Sequence, residues 1–507
     1  LGIWKEMVDH VLVSYLKDTT ILVFGVGGLA SLFGVSTAWL VTAYQFPGRR
    51  FFSWALILPL AIPGYIAAYV YSEIDHYTVE ALIFTRDHFG PQWQRALDQS
   101  MKYIVGCVVL ASVLYPYVYL LARASFQQQA RTALQASRML GRNPFQTFFR
   151  IALPMARPGI IGGLSLVLME VLNDYGAVHF FGIATLTTGI FKYWYAEGNL
   201  QAAMSISACL MAFILLLTLL ERLQRGQARF EDTDSRSSDG TVRPRLPWIP
   251  RCLAVLACAV PFFLGFLFPV WKLLGWAYRT AGDVLNADFF ELLTNSLTLA
   301  ASTAAVILIV SVALAYTVRL HRTTLMKGLS RLWVLGYAVP GAVVAIGVGQ
   351  LLAWFDFRLD ALTDRSLGLI LSGSLVAVGF GYLVRFLAVS FFPTESGMEK
   401  ICGNLDQASR ALGVSPWKTF IRINLPLLKA PLLGAIILLF VDILKELPLT
   451  LILRPFNFET LATKTFDLAM EGRIPESANP SLIIVAGGVV AALLLGKVSG
   501  RAPSSAS

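Results

Sequence analysis

Eleven predominantly apolar stretches run through the sequence, at 19–44, 51–72, 101–121, 159–178 and 201–220, then at 252–277, 293–318, 332–354, 367–389, 431–453 and 481–495. A helix rises about 1.5 Å per residue, so about 20 such residues cross a hydrocarbon core of about 30 Å. No water reaches that core, so backbone N–H and C=O groups must be paired within a helix or a closed barrel. Barrel strands read as segments of about ten residues of alternating polarity, a pattern this sequence does not show. Composition closes the soluble route: 56% of the 507 residues are hydrophobic and 14% charged, against about 45–50% and about 25% in soluble domains. The expected fold class is an all-α polytopic membrane protein with eleven visible transmembrane helices.

The net charge of +10 sits in short loops. One set of alternate loops, with the C-terminal stretch, holds 26 lysines and arginines; the opposite loops and the N-terminal stretch hold 12. Positive loops stay inside, so the arginine-rich set and the C-terminus are expected in the cytoplasm of a bacterial inner membrane. Topology thus accounts for the charge, and no nucleic-acid partner is expected. The polar stretch 222–250 reads as a cytoplasmic linker between a first half, 1–221, and a second, 251–507. The five cysteines are scattered singly, and no histidine has a partner three or four residues on. No metal site is expected.

Internal duplication fixes the architecture. QASRMLGRNPFQTFFRIALP at 135–154 recurs as QASRALGVSPWKTFIRINLP at 407–426, with thirteen of twenty positions identical and an offset of 272. Ile62-Pro63-Gly64 is echoed by Val339-Pro340-Gly341, and Glu170 by Asp442. Both long copies fall on the cytoplasmic side, so a repeat holds an even number of spans and the halves are parallel. The second half has six spans and the first five. Aligning Thr19-Thr20 with Asn295-Ser296 places the partner of the 252–277 span before residue 1, so twelve spans are expected in the intact chain. The Pro-Gly pairs predict broken helices, serving either as packing kinks or as lining of a pathway.

Each repeated loop joins a basic helix-forming stretch, a proline turn and a Leu-Pro leading into the next span. Its apolar residues would suit lipid headgroups, but two near-identical copies suit two copies of one soluble partner better. The pattern resembles the coupling motif of ATP-binding-cassette importer permeases, in which Glu-Ala-Ala is followed by Gly and then Leu-Pro. That resemblance implies two parallel repeats of the type I importer permease (MetI-like) fold. The coupling residues would be Gln135, Ala136, Ser137, Arg138, Gly141 and Pro154, with Gln407, Ala408, Ser409, Arg410, Gly413 and Pro426. Gln135 and Gln407 stand where Glu is typical, and Ser137 and Ser409 replace the second Ala. The glycines are expected to turn at positive φ. The resemblance also implies two copies of an ATPase subunit and a periplasmic binding protein as partners. ATP and Mg would be bound on the ATPase, with no cofactor on this chain. Residues 413–419 end like a phosphate loop, but Trp417 stands in place of the required Gly. No catalytic residue and no ATPase site of its own are expected.

Within the membrane, Glu170 and Asp174 lie one helical turn apart, as do Asp442 and Glu446, with Asn173 equivalent to Lys445. Intramembrane carboxylates face a bundle interior or a cavity. These six residues would either line a path for a cationic cargo or form a structural network between the halves. Arg385, near the end of its apolar stretch, is expected to snorkel. The stretches 166–195 and 440–469 resemble the fused permeases of ferric-iron importers. This implies ferric iron as cargo, taken from the binding protein by alternating access. The alternative is thiamine or another small solute such as a polyamine or phosphonate, and a more distant one is an ion-coupled secondary transporter. Periplasmic loops at 73–102, 181–200 and 454–480 are the candidate docking surfaces.

Overall fold

The computed structural model describes residues 12–72, 74–139, 143–225, 244–321, 323–363, 368–401 and 403–500. Among them there is no strand, and the one isolated bridge joins Gln45 to Arg245. Nine helices among the described residues are long and apolar enough to cross a membrane, or up to eleven if each of two bent pairs counts as one span. The chain divides into two compact units, at Trp276/Ala277.

In the first unit, α1 (Val13–Ala43) is followed by α2 (Arg49–Ala55), a 3₁₀ turn at Leu58–Ala61 and α3 (Gly64–Tyr71). Then come α4 (Ile74–Phe89), α5 (Pro91–Met139) and α6 (Pro144–Asn173). Two short helices, α7 (Gly176–Phe180) and α8 (Leu186–Phe191), precede α9 (Leu200–Arg225). Residues 226–243, most of the expected linker, lie outside the described residues. Its end is strapped to the first unit, where Gln45 N–H donates to the Pro244 carbonyl at 3.1 Å. The following helix, α10 (Trp248–Val284), crosses the division. Its earlier part packs with the first unit, with Tyr71 Oη donating to the Leu264 carbonyl at 2.6 Å and Phe51 edge-on to Phe262. Packing therefore divides the chain later than the repeat does.

The second unit runs the same course. After α11 (Ala287–Leu320) come α12 (Thr324–Trp333), a 3₁₀ turn at Leu335–Ala338 and α13 (Gly341–Thr363). Next are α14 (Leu375–Glu399), α15 (Gly403–Ala411), α16 (Pro416–Leu427) and α17 (Lys429–Leu444). The short α18 (Pro448–Leu453) and α19 (Leu461–Met470) lead to α20 (Ile474–Gly500). The order long helix, elbow, long helix, loop, long helix, two short helices, long helix occurs in both units, as two parallel repeats require.

The elbows follow from proline chemistry. A residue before proline is pushed out of the helical region, and proline itself has no N–H to continue the ladder. Ile62 is extended at φ −100°, ψ 113° before Pro63, and Val339 at φ −81°, ψ 126° before Pro340. The first elbow turns the chain by 91°. A new helix starts at once, since the Pro63 and Pro340 carbonyls accept from Ala67 and Val344 N–H at 3.1 and 3.0 Å.

Lipid removes the usual contrast between apolar inside and polar outside, so close helix contact depends on small residues. In the second unit Ala300, Ala304, Ala345 and Ala377 lie fully buried beside Ile307, Tyr382 and Leu449. Phe24, Leu216, Leu223, Trp271 and Ile309 point outward, as lipid-facing side chains do. In the first unit Gly163 brings α6 against the backbone of α5. A Cβ there would lie 2.7 Å from Val118 Cα and 2.9 Å from the Tyr117 carbonyl oxygen. At neighbouring Gly162 it would meet only Leu121 Cδ1, at 3.5 Å. Gly163→Leu is expected to destabilise by roughly 1–3 kcal/mol through overpacking, and Gly162→Leu by less. Thermal unfolding of the detergent-purified variants checks this; equal midpoints would refute the close contact.

Candidate functional site

The second repeated loop is built from α15, a tight turn and α16. Gln407, Ala408 and Arg410 are exposed on α15, whereas Ser409 is buried. Helix α15 stops in a full Schellman motif: Gly413 N–H donates to the Arg410 carbonyl at 2.9 Å and Val414 N–H to the Ser409 carbonyl at 3.1 Å. That closure needs a left-handed residue, and Gly413 sits at φ +71°. Ser409 Oγ and Thr419 Oγ1 share a buried hydrogen bond of 2.6 Å, tying α15 to α16. Outside this tie, Leu405, Leu412, Trp417 and Ile421 are exposed beside Gln407 and Arg410, and Pro426 is exposed near the end of α16.

The first copy is placed differently. Helix α5 continues to Met139, so the backbone of Gln135, Ala136, Ser137 and Arg138 belongs to its last turns, whereas Gly141 lies outside the described residues. Thr147 is buried and Phe145, Phe149 and Pro154 are exposed on α6. The base of α6 is held by rings: Trp39 lies 5.2 Å from Phe126 and 5.1 Å from Phe148, centroid to centroid.

Inside each unit, the elbow meets a carboxylate. Asp174 and Glu446 occupy equivalent positions, each where a membrane helix ends and a short helix begins. Asp174 Oδ1 accepts from Ala177 N–H at 2.8 Å and Val178 N–H at 3.3 Å. Glu446 Oε1 accepts from Leu449 N–H at 3.2 Å. The same carboxylates face the elbow glycines: a Cβ on Gly64 would come within 2.6 Å of Asp174 Oδ2, and one on Gly341 within 2.6 Å of Glu446 Oε1. The broken helix thus meets polar protein atoms at its break, the condition under which a membrane tolerates one.

The two junctions differ in charge. Glu446 pairs with Arg385, Oε2 to Nε at 3.4 Å, and both side chains are under 10% exposed. Arg385 Nη1 also donates to the Val339 carbonyl at the elbow, at 3.3 Å. This corrects the expectation that Arg385 snorkels. Helix α14 begins at Leu375 and continues to Glu399, so Arg385 falls mid-helix. The late start has a cause: Asp356 gathers Leu371 N–H, Ser372 N–H and the Ser372 hydroxyl at 2.7–2.9 Å, holding the preceding turn outside the helix. Among the described residues no cation pairs with Asp174. Of the other candidates, Asp442 pairs with Lys445, the residue that follows its helix, at 2.9 Å, and Glu170 and Asn173 are half-buried on α6.

Beyond α7 lies an open cleft of about 520 Å³ that the sequence did not single out as a cavity. Tyr15, Tyr175, His179, Phe191, Lys192 and Tyr195 line it. Tyr175 stacks on Phe191 at 3.6 Å and on His179 at 5.1 Å. No group of three or more His, Cys, Asp or Glu placed to hold a metal occurs among the described residues. Two residues central to the second unit's polar organisation, Arg385 and Arg319, were not among the sequence candidates; single arginines in apolar surroundings were the available signal.

Residues 30–230 and 305–499 match the family described as binding-protein-dependent transport system inner membrane component, once in each half. The chain is 25% identical over 479 residues to the Fe(3+)-transport system permease protein FbpB 2 of Haemophilus influenzae, across 93% of this chain and 87% of the relative. It is 22% identical to the ferric transport system permease protein FbpB of Actinobacillus pleuropneumoniae, across 85% of this chain and 63% of that one. The sulfate transport system permease protein CysT of Escherichia coli is 26% identical but aligns with 45% of this chain and 80% of its own length.

The charge difference between the junctions yields a stability contrast. Glu446→Gln can still accept from Leu449 N–H but leaves Arg385 buried without its counter-charge, an expected loss of roughly 3–5 kcal/mol. Asp174→Asn removes a carboxylate without stranding a cation and should cost about 1–1.5 kcal/mol. Denaturant or thermal unfolding of both purified variants decides it; equal losses would rule out the Arg385 pairing as the source.

Proposed function

The chain belongs to the family of binding-protein-dependent transport system inner membrane components, and on that premise we propose that it is the fused permease of an ATP-driven importer of ferric iron. The carrying observation is the reach of the similarity: the ferric permeases align along at least 85% of this chain, across both halves and the join. The sulfate and 2-aminoethylphosphonate permeases align with under half of it. That difference favours ferric iron over the oxyanion cargoes.

In this reading the two repeated loops are cytoplasmic and each receives one ATPase subunit. The exposed patch of Leu405, Leu412, Trp417 and Ile421, with Gln407 and Arg410 at its edge, suits a soluble partner's groove: apolar anchors within a polar rim. Gln407 offers a hydrogen bond where relatives of the motif offer a charge. ATP and Mg are bound and hydrolysed on the partner, and this chain supplies no catalytic group. A periplasmic binding protein delivers the cargo to the loops at 73–102, 181–200 and 454–480, where Phe84, Trp93 and Phe456 are exposed. The cleft beside α7 is then an outer vestibule. Each Pro-Gly elbow, held against Asp174 or Glu446, is a polar break within its own unit, and transport proceeds by alternating access to either side of the membrane.

Uptake of radiolabelled ferric iron by iron-starved cells, with and without the full-length gene, tests the cargo. Gene-dependent uptake that survives excess thiamine, polyamine, sulfate and phosphonate and collapses on ATP depletion is the expected result. No gene-dependent iron uptake would transfer the cargo to another solute. The loop assignment has its own test in Gly413→Asp, where a side chain at positive φ costs about 1–2 kcal/mol. Roughly tenfold weaker retention of the ATPase during purification is expected, with the protein still inserted in the membrane. Undiminished retention and uptake in Gly413→Asp and Gly141→Asp would remove the loops from the coupling role.

A further inference from the structure

The second repeated loop carries an ionic anchorage that the first cannot have. Arg319 lies in the last turn of α11, and its side chain is 6% exposed. Its Nε and Nη2 reach Asp406 Oδ2 at 2.9 and 2.8 Å. Its Nη2 also donates to the Ile401 carbonyl at 3.2 Å, and its Nη1 donates to the Met398 carbonyl. One guanidinium therefore joins three elements: its own helix, the C-terminal end of α14 and the loop helix α15. Its charge also suits the negative end of α14. From the other side Asn424, fully buried, donates Nδ2 to Asp406 Oδ1 at 3.3 Å. Tyr316, one turn before Arg319 on α11, donates its hydroxyl to the Pro416 carbonyl at the start of α16 at 2.8 Å.

At the offset of 272 residues the first copy keeps part of this arrangement. Ser137, Pro144 and Thr147 correspond to Ser409, Pro416 and Thr419, and in the preceding span, which aligns at an offset of 277, Trp39 takes the place of Tyr316 against Phe148 as Tyr316 lies against Phe420. The ionic members are replaced together: Leu134 and Ala152 stand where Asp406 and Asn424 would be, and at the offset of 276 to 277 that aligns the preceding span Ala43 or Thr42 stands where Arg319 would be. The nearby Arg49 turns back to the carbonyl of Val41, on its own chain segment, at 3.0 Å. The repeat thus keeps the loop's Ser, Pro and Thr in sequence, whereas the acid that pairs with Arg319 is present in the second half alone.

We propose that Arg319 is a positioning residue that couples the second loop rigidly to α11 and α14, so that movement imposed on α15 by an ATPase subunit is transmitted into the membrane chiefly through this half. The proposal rests on the reading of the loops as ATPase docking sites. Arg319 touches neither cargo nor nucleotide and acts only through Asp406 and the helix ends it holds. A guanidinium suits the task because its fork contacts a carboxylate and two carbonyls at once, which a single ammonium cannot do in the same geometry.

The full chain, co-expressed with its ATPase and binding protein, carries the test in Asp406→Asn and Arg319→Gln. The readouts are ATPase retention, ATP hydrolysed and cargo moved per ATP. Retention and basal hydrolysis should persist while cargo moved per ATP falls roughly tenfold, within the usual range of a coupling change. Leu134→Asn in the first loop should leave the ratio unchanged. A ratio unchanged in both second-loop variants overturns the proposal. An ATPase that fails to co-purify even with the unaltered chain sinks the docking reading instead, so the two failures are distinguishable. A second measurement needs no transport: a spin label at exposed Leu412, placed as Leu412→Cys in a background without the five native cysteines. Asp406→Asn keeps the side chain's shape and should render the label markedly more mobile. A label equally immobile with and without the Asp406 charge overturns the proposal even if Arg319→Gln fails to fold.

Discussion

A hydrocarbon core offers no water to an unpaired peptide group, and each feature of this molecule answers to that condition. Long helices satisfy it by themselves. The instructive places are where a helix stops within an apolar stretch, at the Pro-Gly elbows and at the α6–α7 and α17–α18 junctions. At the junctions one carboxylate in each unit, Asp174 or Glu446, accepts from the freed N–H groups of the short helix, and the same carboxylate lies against the elbow glycine. Two breaks in each unit thus share one polar centre, which is why an acid is retained where it would otherwise be costly.

The duplicated frame carries unequal charges. Both junctions use a carboxylate for backbone N–H groups, but the second adds Arg385, whose guanidinium also reaches the elbow carbonyl of Val339. The repeated loops show the same inequality: rings around Trp39 hold the base of the first, whereas Arg319 and Asp406 anchor the second. Fusing two halves into one chain lets each evolve alone, since a substitution in one is not copied into the other. A homodimeric permease would have to carry every such charge twice.

Much of the frame was legible because lipid is an undemanding reader of sequence. Apolar stretches of sufficient length, prolines before glycines, and a loop repeated with thirteen identities need no tertiary knowledge to interpret. The positive φ of Gly413 follows from the same logic, since a helix closed in that fashion requires a left-handed residue. Arg385 shows where such reading fails. Its position near the end of an apolar stretch suggested a side chain reaching for the interface. The helix register depended instead on Asp356, fifteen residues or more from the N–H groups it captures. The aromatic cleft beside α7 was equally hidden, because its rings come from α1 as well as from residues 175–195.

By itself, then, the sequence determined the class, the helix count and the duplication: these depend on length, local polarity and identity along the chain, all one-dimensional properties. Which acid meets which base, which helix packs with which unit, and where the cleft opens were decided only by the tertiary structure. Arg319 and Asp406 are separated by 87 residues, and Arg385 and Glu446 by 61. An ion pair depends on distances of a few ångströms between side chains, and no local pattern encodes those until the helices between them have packed.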